Sequence, residues 1–259
     1  MRVACVQFKA DKGDKAGSLA RLRELACRAG QAHPDLVILP EMAATGYLFA
    51  DRDAVDAVAE QARGDTLAAL APVAKAHGVW LLVGLPERDA DKRFNSALVI
   101  DPAGELRFTY RKTLLYEADH AWCDPGDSGY RVFETDGGAF TPGICMDLND
   151  DAFIAWCGQA DVGLAAILSS WLDQGAEVWG YWAWRIAPAG GVPIAVANTW
   201  GAEGDIAFRG ESAIISGRTL LAAASRLGDQ VIVADVPAGP LSTGPPSPGP
   251  LSTGATDAG

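Results

Sequence analysis

The segment Gly143-Ile144-Cys145-Met146-Asp147-Leu148-Asn149 places a cysteine at the end of an apolar run. Two earlier segments have a similar design: Leu39-Pro40-Glu41-Met42 ends an apolar run on a carboxylate, and Tyr110-Arg111-Lys112-Thr113-Leu114-Leu115 supplies an amine. Short apolar runs of this kind are typical of buried strands, so the three polar groups are predicted to emerge at strand ends. Together they suit cleavage of an unreactive C–N bond through a thioester, because a thiol nucleophile needs a proton acceptor and a cation near the oxyanion.

The composition predicts a globular protein and argues against two classes of partner. A chain of 259 residues with 49% hydrophobic content can bury a sizeable core. The formal charge of -12 disfavours nucleic acid or an anionic membrane as the main partner. No apolar run approaches the roughly 20 residues that span a bilayer. The first residues have the pattern of a strand and not that of a signal peptide. We therefore expect a cytoplasmic protein.

The cysteines form an odd set without a close CxxC pair, so neither a disulfide framework nor a zinc knuckle is predicted. No metal and no cofactor is expected. Reduced thiols fit a cysteine enzyme. The five cysteines are Cys5, Cys27, Cys123, Cys145 and Cys157.

Hydrophobic periodicity predicts alternating strands and helices in the first third of the chain. Strands are predicted at 3–8, 36–39 and 79–83, separated by helices over 19–29 and 65–77. The order strand, helix, strand, helix, strand favours an α/β fold.

The rest of the chain predicts more strands. A hairpin is predicted from 97–100 and 106–110, with Lys112 just beyond its second strand. Further strands are predicted at 140–144, 164–168, 192–197, 213–215 and 231–233, and a Trp-rich helix at 174–187. Mixed sheets covered by helices are the expected result.

The C-terminal segment has a different composition. Gly-Pro-Leu-Ser-Thr-Gly occurs at 239–244 and again at 249–254, in a Pro/Gly/Ser/Thr background without core-forming residues. We predict one domain over residues 1–238 and a disordered or loosely draped tail over 239–259.

The three opening segments, in this order, resemble the motifs of the nitrilase superfamily, the carbon-nitrogen hydrolases, whose catalytic triad is Glu-Lys-Cys. The resemblance runs from Arg2 to about Pro237. The residues at 111–116, 143–149 and 198–205 are most similar to the motifs of the protein N-terminal asparagine/glutamine amidase branch. The resemblance implies a four-layer α-β-β-α sandwich and a homodimer.

The resemblance also assigns the catalytic roles. Cys145 would be the nucleophile, although an isolated free cysteine is more often a small buried hydrophobe. Glu41 would act as general base and then general acid, where the alternative is a surface acid at a strand end. Lys112 would favour the thiolate and stabilise the oxyanion, where the alternative is a solvated Arg111-Lys112 pair. Arg111 itself is expected to be structural and to pair with an acid outside the pocket.

The sequence departs from the family pattern in the loop between the lysine and the cysteine. Many relatives carry a second glutamate there, at the position of Asp119, and the N-terminal amidase branch has it where this chain has His120. We predict Asp119 and His120 as substrate-binding residues. Asp119 or Glu117 could instead orient Lys112, or be an ordinary loop acid. A Cys-His hydrolase would have to use His120, which lacks a recognisable orienting partner.

Three further residues are predicted to bind substrate. Met146 follows the cysteine directly, and Trp171 stands at a strand end where the family often presents an aromatic pocket wall. Asn198 ends another strand and could form the pocket floor. For the last two, core packing or turn formation is the competing interpretation.

The sequence thus predicts an amidase that cleaves a linear, non-peptide C–N bond and releases ammonia from a primary carboxamide. The expected substrate is a small-molecule amide or the N-terminal amide of a peptide. Nitrile hydrolysis and N-carbamoyl hydrolysis remain alternatives because they use the same triad. A non-catalytic relative that keeps the fold as a binding module is an alternative of another class.

Overall fold

The computed structural model describes residues 1–237 and 252–253. Its strands are β1 (Arg2–Gln7), β2 (Leu36–Ile38), β3 (Trp80–Asp89), β4 (Lys92–Ile100), β5 (Leu106–Arg111), β6 (Phe133–Thr135), β7 (Gly138–Ile144), β8 (Leu164–Ser169), β9 (Ile194–Asn198), β10 (Trp200–Glu203), β11 (Ile206–Arg209), β12 (Ala213–Ser216), β13 (Thr219–Ala223), β14 (Gln230–Asp235) and β15 (Ser252–Thr253). Its α-helices are α1 (Lys15–Gly30), α2 (Arg52–Asp56), α3 (Asp65–His77), α4 (Asp151–Gln159) and α5 (Trp179–Ile186). Short 3₁₀ turns lie at Glu117–Ala121, Cys145–Asn149 and Ala187–Ala189.

Two mixed sheets pack face to face between helices. The first has the strand order β14-β1-β2-β3-β4-β5 and the second β15-β13-β12-β9-β8-β7-β6. One apolar cluster lies between the sheets, a second joins the first sheet to α1 and α3, and a third joins the second sheet to α4 and α5. The layers are therefore helix, sheet, sheet, helix, and the predicted α-β-β-α sandwich is confirmed.

Most elements predicted from periodicity form close to their expected bounds, but β3 and β4 extend several residues beyond the predicted 79–83 and 97–100 and pair with each other along the added length. The apolar stripe of α1 is buried, and the side chain of Asp14 caps the helix by accepting from Gly17 N–H. The helix α3 ends at Gly78, whose φ of 65° is the left-handed conformation that glycine adopts freely.

The Trp-rich helix is shorter than predicted, because α5 begins only at Trp179. Before it, the Asp173 side chain accepts from Gly175 N–H, and Gly175 has φ 83°. This turn is incompatible with a helix from residue 174. The strands β6, β10, β11 and β13 and the helices α2 and α4 were not predicted.

The sheet topology brings the strand ends together. The pairs β2–β3, β7–β8 and β8–β9 are parallel, so each of these strands ends at the same edge of its sheet as its neighbour. The strand β5 is two antiparallel steps from β3 and therefore runs in the same direction as β3. The chain beyond β5 thus reaches the edge at which β2 ends.

No helix in the described part of the chain is both long enough and apolar enough to cross a membrane. The predicted tail, 239–259, lies outside the described residues apart from β15, which pairs in parallel with β13. The predicted domain boundary stays a prediction.

Candidate active site

Glu41 lies on the segment that leaves β2, and this segment passes directly over Gly84 of β3. Gly84 N–H donates to the Pro40 carbonyl at 3.1 Å, and Ala43 N–H donates to the Gly84 carbonyl at 3.0 Å. A Cβ atom at Gly84 would lie 2.6 Å from Glu41 Cα, so the approach requires glycine. The close contact fixes the backbone of Glu41, a residue that is only 2% exposed.

Lys112 joins two buried carboxylates. Its Nζ donates to Glu41 Oε1 at 2.9 Å and to Asp119 Oδ2 at 2.7 Å. None of the three side chains is exposed to solvent. Such a cluster needs its hydrogen bonds, because an isolated buried charge is costly. Sequence reasoning left open whether Asp119 would orient Lys112 or bind substrate, and the geometry is that of a residue orienting the lysine.

The two oxygens of Glu41 have different surroundings. Oε1 accepts from Lys112 and also from Asn95 Nδ2 at 2.7 Å, whereas Oε2 is buried without a hydrogen-bond partner in the described residues. Burial raises the pKa of Glu41 above its ordinary 4.5, while Lys112 and Asn95 lower it. A buried carboxylate with one unused oxygen and a raised pKa is suited to accept and return a proton.

The ammonium form of Lys112 is held by its neighbours. Burial alone would lower its pKa, but the negative charges of Glu41 and Asp119 outweigh burial and leave the pKa well above the ordinary 10.5. The side chain therefore carries a positive charge at neutral pH.

Cys145 follows β7 in a strained turn and is 6% exposed. Its φ of 45° is uncommon for a residue other than glycine and occurs often at functional sites. Burial and the charge of Glu41 raise the pKa of the thiol to about 12, while Lys112, the Ser169 hydroxyl and the Ser170 N–H act to lower it. Lys112 thus acts in favour of the thiolate, but burial outweighs it and the pKa of the thiol stays above its ordinary value.

Asp147 was missed by sequence reasoning, although it stands two residues after the cysteine. Its Oδ2 accepts from the Tyr110 hydroxyl at 2.7 Å and from Ile144 N–H at 2.8 Å. Its Oδ1 accepts from the N–H groups of Thr113 and Leu114, both at 3.0 Å. One buried carboxylate therefore ties the cysteine turn to the chain that follows Lys112. Nothing local in the sequence marks this role, because every partner but Ile144 lies more than 30 residues away.

Arg111 binds acidic residues other than those that bind Lys112, so the structural role predicted for it is confirmed. Its guanidinium donates to Glu87 and Asp89, in both cases at 2.7 Å, and to Asp127 at 2.8 Å. The adjacent cations of the motif therefore separate into one buried lysine and one arginine in an ion-pair network.

A cavity of about 390 Å³ opens over Cys145. Of the predicted substrate-binding residues, Met146 and Trp171 line it. Its lining residues are Tyr47, Tyr116, Cys145, Met146, Asn149, Ser170, Trp171, Leu172, Gln174, Ala176, Glu177, Val178 and Tyr181. Carbon, hydroxyl and amide groups dominate this surface.

The other predicted substrate-binding residues are elsewhere. Asp119 is fully buried against Lys112, and His120 is exposed and does not line the cavity. Asn198 is buried, where its Oδ1 accepts from Trp171 N–H at 2.7 Å and its Nδ2 donates to the Gly210 carbonyl at 2.8 Å. Asn198 therefore holds the loop that carries Trp171. Glu117 is exposed as well.

Tyr47 is a cavity residue that sequence reasoning did not single out. Lys112 Nζ lies 5.6 Å from the centroid of its ring. The loop that carries Tyr47 is held by the β10–β11 hairpin, because Glu203 accepts from Tyr47 N–H and from Leu48 N–H at 3.1 Å.

The described residues contain no group of three or more His, Cys, Asp or Glu side chains arranged to hold a metal ion.

Comparison with known families assigns the chain. The model of the carbon-nitrogen hydrolase family matches residues 2–242. The chain belongs to this family. The resemblance read from the three motifs to the nitrilase superfamily is thereby confirmed.

Relatives of this carbon-nitrogen hydrolase include a protein N-terminal amidase from Schizosaccharomyces pombe, 24% identical, with 90% of this chain and 98% of the relative covered. A "hydrolase in pqqF 5'region" from Pseudomonas protegens is 37% identical over 57% of this chain and 52% of its own. The chain spans about half the length of several curated relatives that it matches. An amidase from Nesterenkonia sp. has the same fold, with a TM-score of 0.76 at 22% identity over 92% of this chain and 91% of that one.

Proposed function

We propose that this carbon-nitrogen hydrolase cleaves a primary carboxamide to a carboxylic acid and ammonia through a thioester on Cys145. The observation that carries the proposal is the placement of Cys145 at the cavity, with the buried Lys112–Glu41 pair influencing its charge. The names of the relatives support it, since two of those matched are protein N-terminal amidases and one is a 2-oxoglutaramate amidase.

The first half of the reaction forms the thioester. Cys145 Sγ attacks the amide carbon while its proton passes to Glu41, whose Oε2 has no other partner among the described residues. The carbonyl π electrons move to oxygen, and the ammonium of Lys112 stabilises the resulting oxyanion. Glu41 then donates the proton to the amide nitrogen, the C–N bond breaks, and ammonia leaves.

The second half returns the enzyme to its starting state. A water molecule attacks the thioester carbon while Glu41 accepts one of its protons, and the oxyanion forms again beside Lys112. When the C–S bond breaks, the proton returns from Glu41 to Cys145, and the carboxylic acid is released. The sum is amide plus water giving acid plus ammonia.

A base is needed because the thiol does not ionise by itself. With the pKa of Cys145 at about 12, only a minute fraction is thiolate at neutral pH. Because the proton passes to Glu41 during the attack, the small thiolate population does not limit the reaction rate. Asp119 acts as a positioning residue, since its bond to Lys112 keeps the ammonium charged and beside Glu41.

Substitution of the nucleophile tests the mechanism. Cys145→Ala and Cys145→Ser are expected to lose ammonia release while keeping the circular dichroism spectrum of the wild type. Cys27→Ala, which removes a cysteine outside the cavity lining, is the matched control and is expected to retain turnover. Ammonia release by Cys145→Ala would overturn the proposal.

The products separate the related reactions. Intact-mass measurement with mixed amides and nitriles is expected to reveal an acyl adduct on the wild type and none on Cys145→Ala. Ammonia without carbon dioxide indicates an amide or a nitrile, whereas both gases together indicate N-carbamoyl hydrolysis. No adduct and no ammonia with any substrate would favour the non-catalytic alternative.

The N-terminal amide of a peptide is the more specific candidate, supported by the two relatives named for that activity. Short peptides beginning with Asn or Gln, compared with free glutamine and small aliphatic amides, test it. Faster hydrolysis of the peptides would support this candidate. The homodimer implied by the resemblance also stays a prediction.

A further inference from the structure

The wall of the cavity combines aromatic rings with a single charged side chain. Four of its lining residues are aromatic: Tyr47, Tyr116, Trp171 and Tyr181. Glu177 is the acidic residue of the lining, and no lysine, arginine or histidine lines the cavity in the described part of the chain. The substrate side of the site is therefore negative and aromatic, while the cation of the triad lies buried beneath it.

We infer that the cavity selects amides that carry a protonated amino group, which Glu177 and the aromatic wall bind. The inference rests on the proposed amidase function and names the substrate class of the same site. An ammonium group is attracted both by a carboxylate and by the face of an aromatic ring. An amide that carries a carboxylate would instead meet Glu177 as a like charge without a compensating cation.

The aromatic wall is preorganised. The rings of Trp171 and Tyr181 lie with centroids 5.6 Å apart, and Trp171 also packs edge-on against the buried Trp182 at 5.8 Å. The Tyr181 hydroxyl donates to Asn149 Oδ1 at 2.6 Å. A cation can therefore be bound without much ordering of these side chains, which limits the entropic cost of binding.

Glu177 is placed for such a role and is not neutralised by a neighbouring cation. Its Oε2 accepts from Gly180 N–H at 3.3 Å, and Glu177 takes part in none of the ion pairs between the described residues. The carboxylate is exposed, so solvent screens it and its effect on binding is modest. The competing interpretation is that Glu177 only caps the first turn of α5.

Three amides of similar length form the test: butanamide is neutral, 3-aminopropanamide is cationic and succinamate is anionic. For the wild type we expect kcat/KM for the cationic amide to exceed that for butanamide by about tenfold, given an exposed ion pair together with a cation–π contact. Succinamate is expected to be the poorest substrate. The preference for the cation should disappear as the pH rises through the pKa of the substrate amine.

Glu177→Gln removes the charge but keeps an oxygen that can accept from Gly180 N–H. We expect the ratio of kcat/KM between the cationic and neutral amides to fall about threefold, an ordinary effect for an exposed ion pair. Glu24→Gln, which removes an exposed charge from α1, is the matched control and should leave the ratio as it is in the wild type. An unchanged ratio in Glu177→Gln would overturn the inference and favour a capping role alone.

Binding to Cys145→Ala gives a readout that does not depend on turnover. Calorimetry should give tighter binding of 3-aminopropanamide than of butanamide, and the difference should shrink in Cys145→Ala/Glu177→Gln. Hydrolysis of all three amides at equal rates would overturn this inference and leave the amidase function standing. Preferential binding of the cation by a wild type that hydrolyses none of them would contradict the amidase function while supporting the cation site.

Discussion

The carboxylate of Asp147, in the turn that begins at Cys145, accepts a hydrogen bond of 2.7 Å from the hydroxyl of Tyr110 on β5. Tyr110 lies on a strand of the first sheet, whereas Asp147 lies in the turn that follows β7 of the second sheet, so the bond links the two sheets. Both side chains are fully buried, where a hydrogen bond to a charged group contributes more than one at the surface. The cysteine and the lysine are therefore held by one shared carboxylate.

Asp147→Ala should destabilise the protein strongly, because it leaves the N–H groups of Thr113, Leu114 and Ile144 without their acceptor. We expect the free energy of unfolding to fall by about 3–5 kcal/mol, from several unsatisfied donors at about 1–3 kcal/mol each. Tyr110→Phe removes one bond only and should cost about 1–2 kcal/mol. Urea unfolding measures both, and a larger loss in Tyr110→Phe than in Asp147→Ala would contradict this account.

Lys112→Met should leave Glu41 and Asp119 buried without a cation. The expected loss of unfolding free energy at neutral pH is about 3–5 kcal/mol, the usual consequence of removing one partner from a buried ion pair. Ammonia release should stop. Lys112→Arg, which keeps the charge, should lose less stability.

The pH dependence of this variant has a definite sign. Without Lys112, which lowers the pKa of Glu41 in the wild type, the carboxyl pKa rises further above its unfolded value. At a pH above the pKa of this carboxyl group in the unfolded chain, the native state then binds more protons than the unfolded state. The free energy of unfolding therefore falls as the pH rises. Denaturant unfolding of Lys112→Met across acidic to neutral pH should give this trend, and stability that increases with pH would refute the explanation.

The acid limb of kcat/KM should report the ionisation of Glu41. Since a base must be deprotonated, activity should rise with pH through a value above the ordinary 4.5 of a glutamate. Asn95 lowers this pKa by donating to the carboxylate, whereas the charge of Asp119 raises it.

Two substitutions should therefore move the acid limb in opposite directions. Asn95→Ala should shift it to higher pH, and Asp119→Asn should shift it to lower pH. Initial rates with one neutral amide over a pH series measure both. A common direction of shift would mean that Glu41 does not govern the limb.

Gly84→Ala should disturb Glu41 without touching its side chain. The added methyl group would meet backbone atoms of the 40–42 segment at 2.6–2.7 Å, and backbone cannot yield as a flexible side chain does. We expect kcat to fall by about a hundredfold, the scale of a misplacement near 1 Å. Gly163→Ala is a control for destabilisation alone, since its Cβ would meet the backbone carbonyl of Ala139 at 2.8 Å and neither residue lines the cavity. If Gly84→Ala kept the kcat of the wild type, the close approach of the Glu41 backbone to Gly84 would have no role in catalysis.

Local signals were sufficient for many of the regular elements and for proposing the catalytic candidates, but not for β6, β10, β11, β13, α2 and α4. Apolar runs predicted β1, β2, β7 and β8, and the polar residues beyond them identified Glu41 and Cys145. Periodicity of 3.6 residues predicted α3, and the structure adds that Gly78 ends it in the left-handed conformation. These features could be read because each depends on residues that are near one another in the sequence.

The sequence by itself determined most of the strands of the two sheets, the helices α1 and α3, and the choice of Glu41, Lys112 and Cys145 as candidates at strand ends. Tertiary structure alone decided what those groups can do. Asn95 and Glu41 are 54 residues apart, and Lys112 and Glu41 are 71 apart, so neither hydrogen bond has a local signature. Protonation states followed from burial: the thiol of Cys145 stays protonated although an ammonium lies in its surroundings. The cost of removing charges from water depends on how the two sheets close over them, and that closure is a property of the folded chain.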